Sequence, residues 1–473
     1  RKALKTDPGG FEETAIDNQP TFFVDHKSYA IVTLHKEIAA QFTKKQPGLD
    51  GKIDKALAKK LLDSDVGVYV DTVSVREVYG AEIKGFHDEL QKAFETGAGG
   101  IGIGGANKNS IEMIKLVMDP AFQAFEDSQA FIFTAELRPE GLAVHAQATV
   151  GADSKTNDLL KAAKPTAMPE LALMPAGQVT YAAMHMAPAY LKKFGPYMYG
   201  VVNDPDSKEA KALLDAVEQI AASNPKFSLT GASVPPKGLQ AWMYEDAARA
   251  ATSQLKLFES LKAGESYSTA ALKEKPEIKP DAKKHRGFNL HYVNLTWDLE
   301  ATVAKSLPMG AGLPGDFQAK MAEGMKKLVG EGEKIWFGSD GKAFVSITAD
   351  DWDSAQKLLD NYLDKKNNVG EDKAFTDTRK QLPAEVTLLS MVDLPAYAAI
   401  MADYFQTIIP GGTPFPVDAL KPAVKGKTSY MGFSVTLQPQ RGSADFWLPA
   451  AAVTELYKMF GEAIMKNVGA GGS

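Results

Sequence analysis

The chain has 473 residues, with 53 Lys plus Arg against 59 Asp plus Glu, a formal net charge of −6 and 44% hydrophobic residues. This balance belongs to a globular protein, excludes a disordered or fibrous chain, and lacks the basic excess of a dedicated nucleic-acid binder. Having no cysteine excludes thiol catalysis, disulfides, and cysteine-based zinc or iron–sulfur sites.

In chain order, residues 1–59 read as an N-terminal arm and lead-in, the first twenty polar and extended. VGVYVD at 66–71 reads as a strand, and FHDELQKAFET at 86–96 reads as helix. AFIFTAEL (130–137) and LAVHAQATV (142–150) flank the turn RPEG, which predicts a hairpin closed at Gly141. VTYAAMHM (179–186) is a further strand, and Leu213, Leu214, Val217 and Ile220 recur at helical spacing within 208–223. KFSLTGASVPPKG (226–238) predicts a second hairpin, ending at Gly238. The run KEKPEIKPDAKKH, rich in Lys, Glu and Pro, makes 263–285 a charged linker. Beyond it, Phe317, Met321, Met325, Leu328 and Val329 form one stripe of a helix over 314–330, and EKIWF and KAFVSIT flank the turn GSDG at Gly341. Residues 386–397, VTLLSMVDLPAY, open a last strand–helix pair, GFSVTLQPQRG (432–442) predicts the fourth hairpin, and Val453, Leu456, Phe460 and Ile464 mark a closing helix. The tail GAGGS is expected to be mobile.

A repeat emerges from this list. Val179, Thr180, Met184, Pro188, Ala189 and Tyr190 recur in order as Val386, Thr387, Met391, Pro395, Ala396 and Tyr397, and each run follows a Pro-Ala pair. The hairpin glycines Gly141, Gly238, Gly341 and Gly442 recur at intervals of about one hundred residues. The expected fold is α+β. Four strand–helix(–helix)–hairpin–helix units would form two homologous halves, 60–262 and 286–468, with mainly antiparallel sheets and helices on one face.

Sequence motifs with chemical meaning fail on context. Gly97, Gly99 and Gly102 satisfy G-x-G-x-x-G, but a helix precedes them where a dinucleotide fold needs a strand. Lys425-Gly426-Lys427-Thr428 ends like a phosphate loop, yet Lys421 stands where the first glycine belongs. Asp350, Asp351 and Asp353 precede a helix, where capping explains acidic residues better than a cation site. There is no zinc-peptidase signature and no G-x-S-x-G elbow, and Ser339 sits in a turn. Asn294-Leu295-Thr296 fits the glycosylation pattern at a strand end. Among the seven histidines, His185 and His291 fall near equivalent repeat positions. If their strands were neighbours the two imidazoles would meet, making them the candidate metal or acid–base pair, against the reading of two locally bonded histidines. Met321 and Met325 read as core, with a Met-lined apolar groove as the sharper alternative.

The Pro-Ala, strand, Pro-Ala-Tyr, helix pattern at 175–190 and 383–397, with abundant Ala and Lys, resembles large exported proteins of uncharacterised families in planctomycete-type bacteria. The resemblance implies export to the periplasm or cell surface, and no activity or functional residue. Arg1 is either the residue after a removed signal peptide, which would agree, or the result of trimming. The functional expectation is a non-enzymatic binding or scaffold protein without cofactor. It would act through a protein partner or self-association, with no transmembrane segment. The alternatives are a carrier of an apolar small molecule or lipid, with 408–428 as a lid or contact loop, and a hydrolase or metalloenzyme with a dispersed site.

Overall fold

A computed structural model describes residues 5–6, 10–16, 19–26, 29–43, 55–95, 108–185, 208–267, 270–306, 316–408 and 428–457. The glycine-rich run at 97–105, most of the 408–428 segment, Pro188 and the GAGGS tail lie outside these residues. The chain divides into two compact units, Arg1–Asp63 and Ser64–Ser473.

The first unit is more than an arm. Strands β1 (Lys5–Thr6), β2 (Glu12–Ile16), β3 (Gln19–His26) and β4 (Tyr29–Thr33) form an antiparallel meander. The helix Lys36–Thr43 brings Ala39 onto Phe11, Phe22 and Val24, and the two phenylalanine rings meet edge to face at 5.8 Å. Few apolar residues are needed for a core this small, so a polar composition did not betray it.

The second unit is built on one fifteen-stranded sheet, in which every pairing is antiparallel. Strand β5 (Val66–Asp71) leads into helices Thr72–Glu95 and Lys108–Asp127, then the hairpin β6 (Ser128–Arg138) and β7 (Gly141–Val150). Strand β8 (Thr180–His185) is followed by helix Lys208–Ala222, the hairpin β9 (Pro225–Ala232) and β10 (Gly238–Tyr244), and helix Ala247–Ser260. Short strands β11 (Ser266–Tyr267) and β12 (Ala270–Leu272) and the longer β13 (Glu277–His285) come next. Strand β14 (Phe288–Asp298) leads into helices Leu299–Ser306 and Phe317–Val329, the hairpin β15 (Gly332–Ser339) and β16 (Ala343–Thr348), and helices Trp352–Asp364 and Lys373–Gln381. Strand β17 (Leu388–Asp393), helix Leu394–Ile408, the hairpin β18 (Tyr430–Gln438) and β19 (Arg441–Pro449), and helical residues 450–457 complete it. The spatial order is β11-β12-β14-β15-β16-β10-β9-β8-β17-β18-β19-β7-β6-β5, with β13 also on β14.

The fold is therefore α+β and antiparallel, as the turn signals predict. Two of the hairpins need glycine sterically: a Cβ on Gly141 would run into the carbonyl oxygen of Leu448, and one on Gly238 into that of Gly231. Strand ends and helix starts are joined by acidic caps. Asp71 Oδ1 accepts the Ser74 amide at 3.1 Å, Asp298 Oδ1 accepts the Ala301 amide at 2.8 Å, and Asp393 accepts the Ala396 amide. Asp351 Oδ1 accepts the Ser354 amide at 2.8 Å, so that acidic cluster contains a cap, as expected.

Two expectations change. The run 263–285 is part of the sheet: β13 pairs with β14 in a hairpin turned at Arg286-Gly287, so no linker separates two halves. Its charges are those of an edge strand whose side chains meet water and repel a further strand. Nor do helices keep to one face. Ile335, Trp336 and Phe337 are buried consecutively on β15, and consecutive residues point to opposite faces. On one face Leu290, Trp336, Val345 and Leu239 pack under Ala355 and Leu359 of helix Trp352–Asp364. On the other, Val293, Ile335, Phe337 and Phe344 pack under helices Lys208–Ala222 and Ala247–Ser260.

Candidate functional site

The central strands change chemistry from one face to the other. Pairing aligns Leu389, Ala183, Leu229, Ala241 and Val345 in one cross-strand row over β17, β8, β9, β10 and β16, and all five are buried in the apolar core. One residue along each strand, on the opposite face, the row is Ser390, Ala182, Thr230, Gln240 and Ser346. Strand alternation alone produces the switch. The first row is what a core demands, and the second offers hydroxyls and an amide.

That second row is the floor of an open cavity of about 720 Å³, within the size range of small-molecule sites. Trp242 and Tyr267 supply aromatic surface, Lys237 stands at the rim, and Glu333 reaches in from the start of β15. A neighbouring cavity of about 410 Å³ shares Lys237, Glu333 and Thr348. Trp242 is held by stacking on Tyr244, with centroids 5.8 Å apart and planes 13° from parallel. The rim lysine is already engaged, Lys237 Nζ lying 2.6 Å from Asp350 Oδ2. Lys334, next to Glu333 in sequence, donates to the Asp350 carbonyl at 2.9 Å. Glu333 is half-buried, and burial pushes its carboxyl up to about 7.

The histidine pair is not assembled. His185 is on β8 and His291 on β14, with β9, β10, β16 and β15 between them, a separation of roughly 24 Å at the usual strand spacing. Each is bonded locally. His185 Nε2 lies 2.7 Å from Thr166 Oγ1, and its Nδ1 lies 3.1 Å from the Lys226 carbonyl. His291 Nδ1 accepts the Asp281 amide at 3.1 Å, its ring packs on Phe337, and burial holds its pKa below the ordinary value. Among the described residues, no group of three His, Asp or Glu side chains is placed to hold a metal ion.

A different histidine was missed. Pairing across β6, β7, β19 and β18 aligns Thr134, His145, Asp445 and Ser434, all buried. His145 Nδ1 lies 2.7 Å from Asp445 Oδ1, so Nδ1 carries the hydrogen when the carboxylate accepts. The residue types are those of a nucleophile relay, but the order is wrong. Ser434 stands beyond the aspartate, two strand spacings or roughly 10 Å from the imidazole. The pair cross-links β7 to β19. It was hidden because 300 residues separate its partners.

No family model, curated protein or solved structure matches the chain. Among the described residues, no helix is long and apolar enough to cross a membrane.

Proposed function

We propose that this chain is a non-enzymatic binding protein that holds a small polar molecule against the central strands of its large sheet. The observation that carries the reading is the row Ser390, Thr230, Gln240 and Ser346, aligned in an open cavity with Ala182 between the first two and a fully apolar core row behind. Hydrogen-bonding side chains aligned over several strands offer directional contacts that an apolar guest would leave unmet, so a polar ligand is favoured over a lipid. The test is native mass spectrometry of protein purified from its source, beside a denaturing run and an Ala182→Phe variant that fills the floor. Retained non-covalent mass that Ala182→Phe loses supports the reading. A bare chain whose fragment-binding profile is unchanged by Ala182→Phe overturns it.

The internal duplication is supported by the symmetry of the pairing. β8 pairs with β17, and flanking pairs β10–β16 and β19–β7 occupy matching places on either side. A pseudo-two-fold through β8–β17 would relate 60–262 to 286–468.

Self-association is the second reading, and β5 favours it. β5 ends the sheet, with Val66 52% and Val68 43% exposed, whereas the outer edge of β14 carries β13 with Lys279, Lys283 and Lys284. Inside the chain β8 and β17, each opening a strand–helix–hairpin segment as β5 does, pair antiparallel with each other. A second copy's β5 can continue the sheet in the same manner. Light scattering should find a dimer that Val68→Lys converts to monomer. A monomeric parent chain removes this reading.

A further inference from the structure

We infer that the cavity takes a small hydroxylated molecule bearing a protonated amine, with Glu333 as its counter-ion. The inference rests on the reading of the cavity as a binding site and adds the class of ligand. Glu333 lines both the 720 Å³ cavity and its 410 Å³ neighbour, so it stands where the two meet. Among the described residues no Lys, Arg or His forms an ion pair with it: Lys237 is on Asp350 and Lys334 on the Asp350 carbonyl. Lys326, from the end of helix Phe317–Val329, is taken by Glu331. A carboxylate removed from water with no cation beside it is an incomplete ion pair, and a ligand that brings the cation completes it. An anionic ligand would meet the opposite effect.

The rest of the lining agrees. Trp242 and Tyr267 line the same cavity, and aromatic rings attract ammonium groups. The Thr348 hydroxyl, which lines both cavities as Glu333 does, donates and accepts, which suits a hydroxyl group on the remainder of the ligand. Burial pushes the carboxyl of Glu333 up to about 7, so an arriving ammonium at neutral pH also favours release of its proton.

The experiment uses a matched pair of probes, 2-amino-1,3-propanediol and glycerol, which differ in an ammonium against a hydroxyl. Binding is followed by ligand-observed NMR titration at neutral pH on the full chain. The amine should bind about tenfold or more tightly than glycerol, and Glu333→Gln should reduce the two to within about twofold. Glu333→Asp, which retains the charge, should keep part of the preference. Equal binding of the two probes by the parent chain, or an amine preference untouched in Glu333→Gln, overturns the inference. The cavity reading is judged separately. If the two probes bind equally and Thr348→Phe, which fills the cavity beside Glu333, abolishes both, the site stands and only the cationic class is lost. If no probe responds to Ala182→Phe or to Thr348→Phe, both fall.

Discussion

Replacing Glu333 by Gln should stabilise the large unit, and by an amount that depends on pH in a definite direction. The carboxyl stands at about 7 in the folded chain against an ordinary 4.5, with burial as the cause. At about 1.4 kcal/mol per pH unit, that difference corresponds to about 3 kcal/mol. The folded state binds the proton more tightly than the unfolded state, so stability must fall as pH rises. Below the unfolded value both states are protonated and no penalty exists. Between about 4.5 and about 7 the penalty grows, and above that it is constant. Glu333→Gln removes the titration and keeps a similar shape. The two proteins should therefore be nearly equal near pH 4 and diverge to about 3 kcal/mol in favour of the variant by pH 8. Urea unfolding followed by tryptophan fluorescence reads the right unit, because all five tryptophans lie beyond residue 63. Other groups contribute equally to both proteins, so the difference between the curves isolates Glu333. Parallel pH profiles would refute the claim that this carboxyl is held uncompensated by a cation.

The two faces of β17 make a sharper structural test. Leu389→Ala deletes a fully buried core side chain and should cost about 2–5 kcal/mol, while Ser390→Ala, the next residue on the cavity face, should cost about 0.5 kcal/mol or less; urea midpoints compare them. Asp351→Ala removes the acceptor of the Ser354 amide and should cost about 1 kcal/mol, with amide exchange of the first turn of helix Trp352–Asp364 accelerating more than that of its last turn. Asp393, pushed up to about 6 by burial, should likewise give a protein whose stability declines as pH rises from the ordinary carboxylate range through about 6. Asp393→Asn should flatten that part of the urea profile.

What could be read from the sequence was what is local. The turns at Gly141, Gly238, Gly341 and Gly442 lie within a few residues of the strands they join, and the observed hairpins β6–β7, β9–β10, β15–β16 and β18–β19 follow them. Helical stripes at 208–222 and 317–329 were legible for the same reason. The order of strands is not local. His185 and His291 looked like partners because they fall near equivalent positions of the expected repeat, yet equivalent positions in a repeat need not be adjacent in space. Composition misled at 263–285, where Lys and Pro are as suitable for the hydrated edge strand β13 as for a linker. It misled again at residues 1–20, where the strands of the small meander are largely polar.

The cavity shows the same division between local and non-local information. Each strand announces its own alternation: Leu389 and Met391 around Ser390, Leu229 and Gly231 around Thr230, Leu239 and Ala241 around Gln240, Val345 and Ile347 around Ser346. Read singly, each is a half-buried strand with an ordinary polar face. Only the register, which sets Ser390 level with Ala182, Thr230, Gln240 and Ser346, turns four solvated positions into one surface. Glu333 then matters because the β14–β15 pairing sets it level with Leu295 while the hairpin at Lys237 closes beside it. A one-residue slip in any of these pairings would carry the polar side chains into the apolar core. The packing that makes Leu389, Leu229, Ala241 and Val345 inaccessible to water is thus what holds the polar row in line. Binding should accordingly be sensitive to core substitutions that shift register and indifferent to those that merely lower stability.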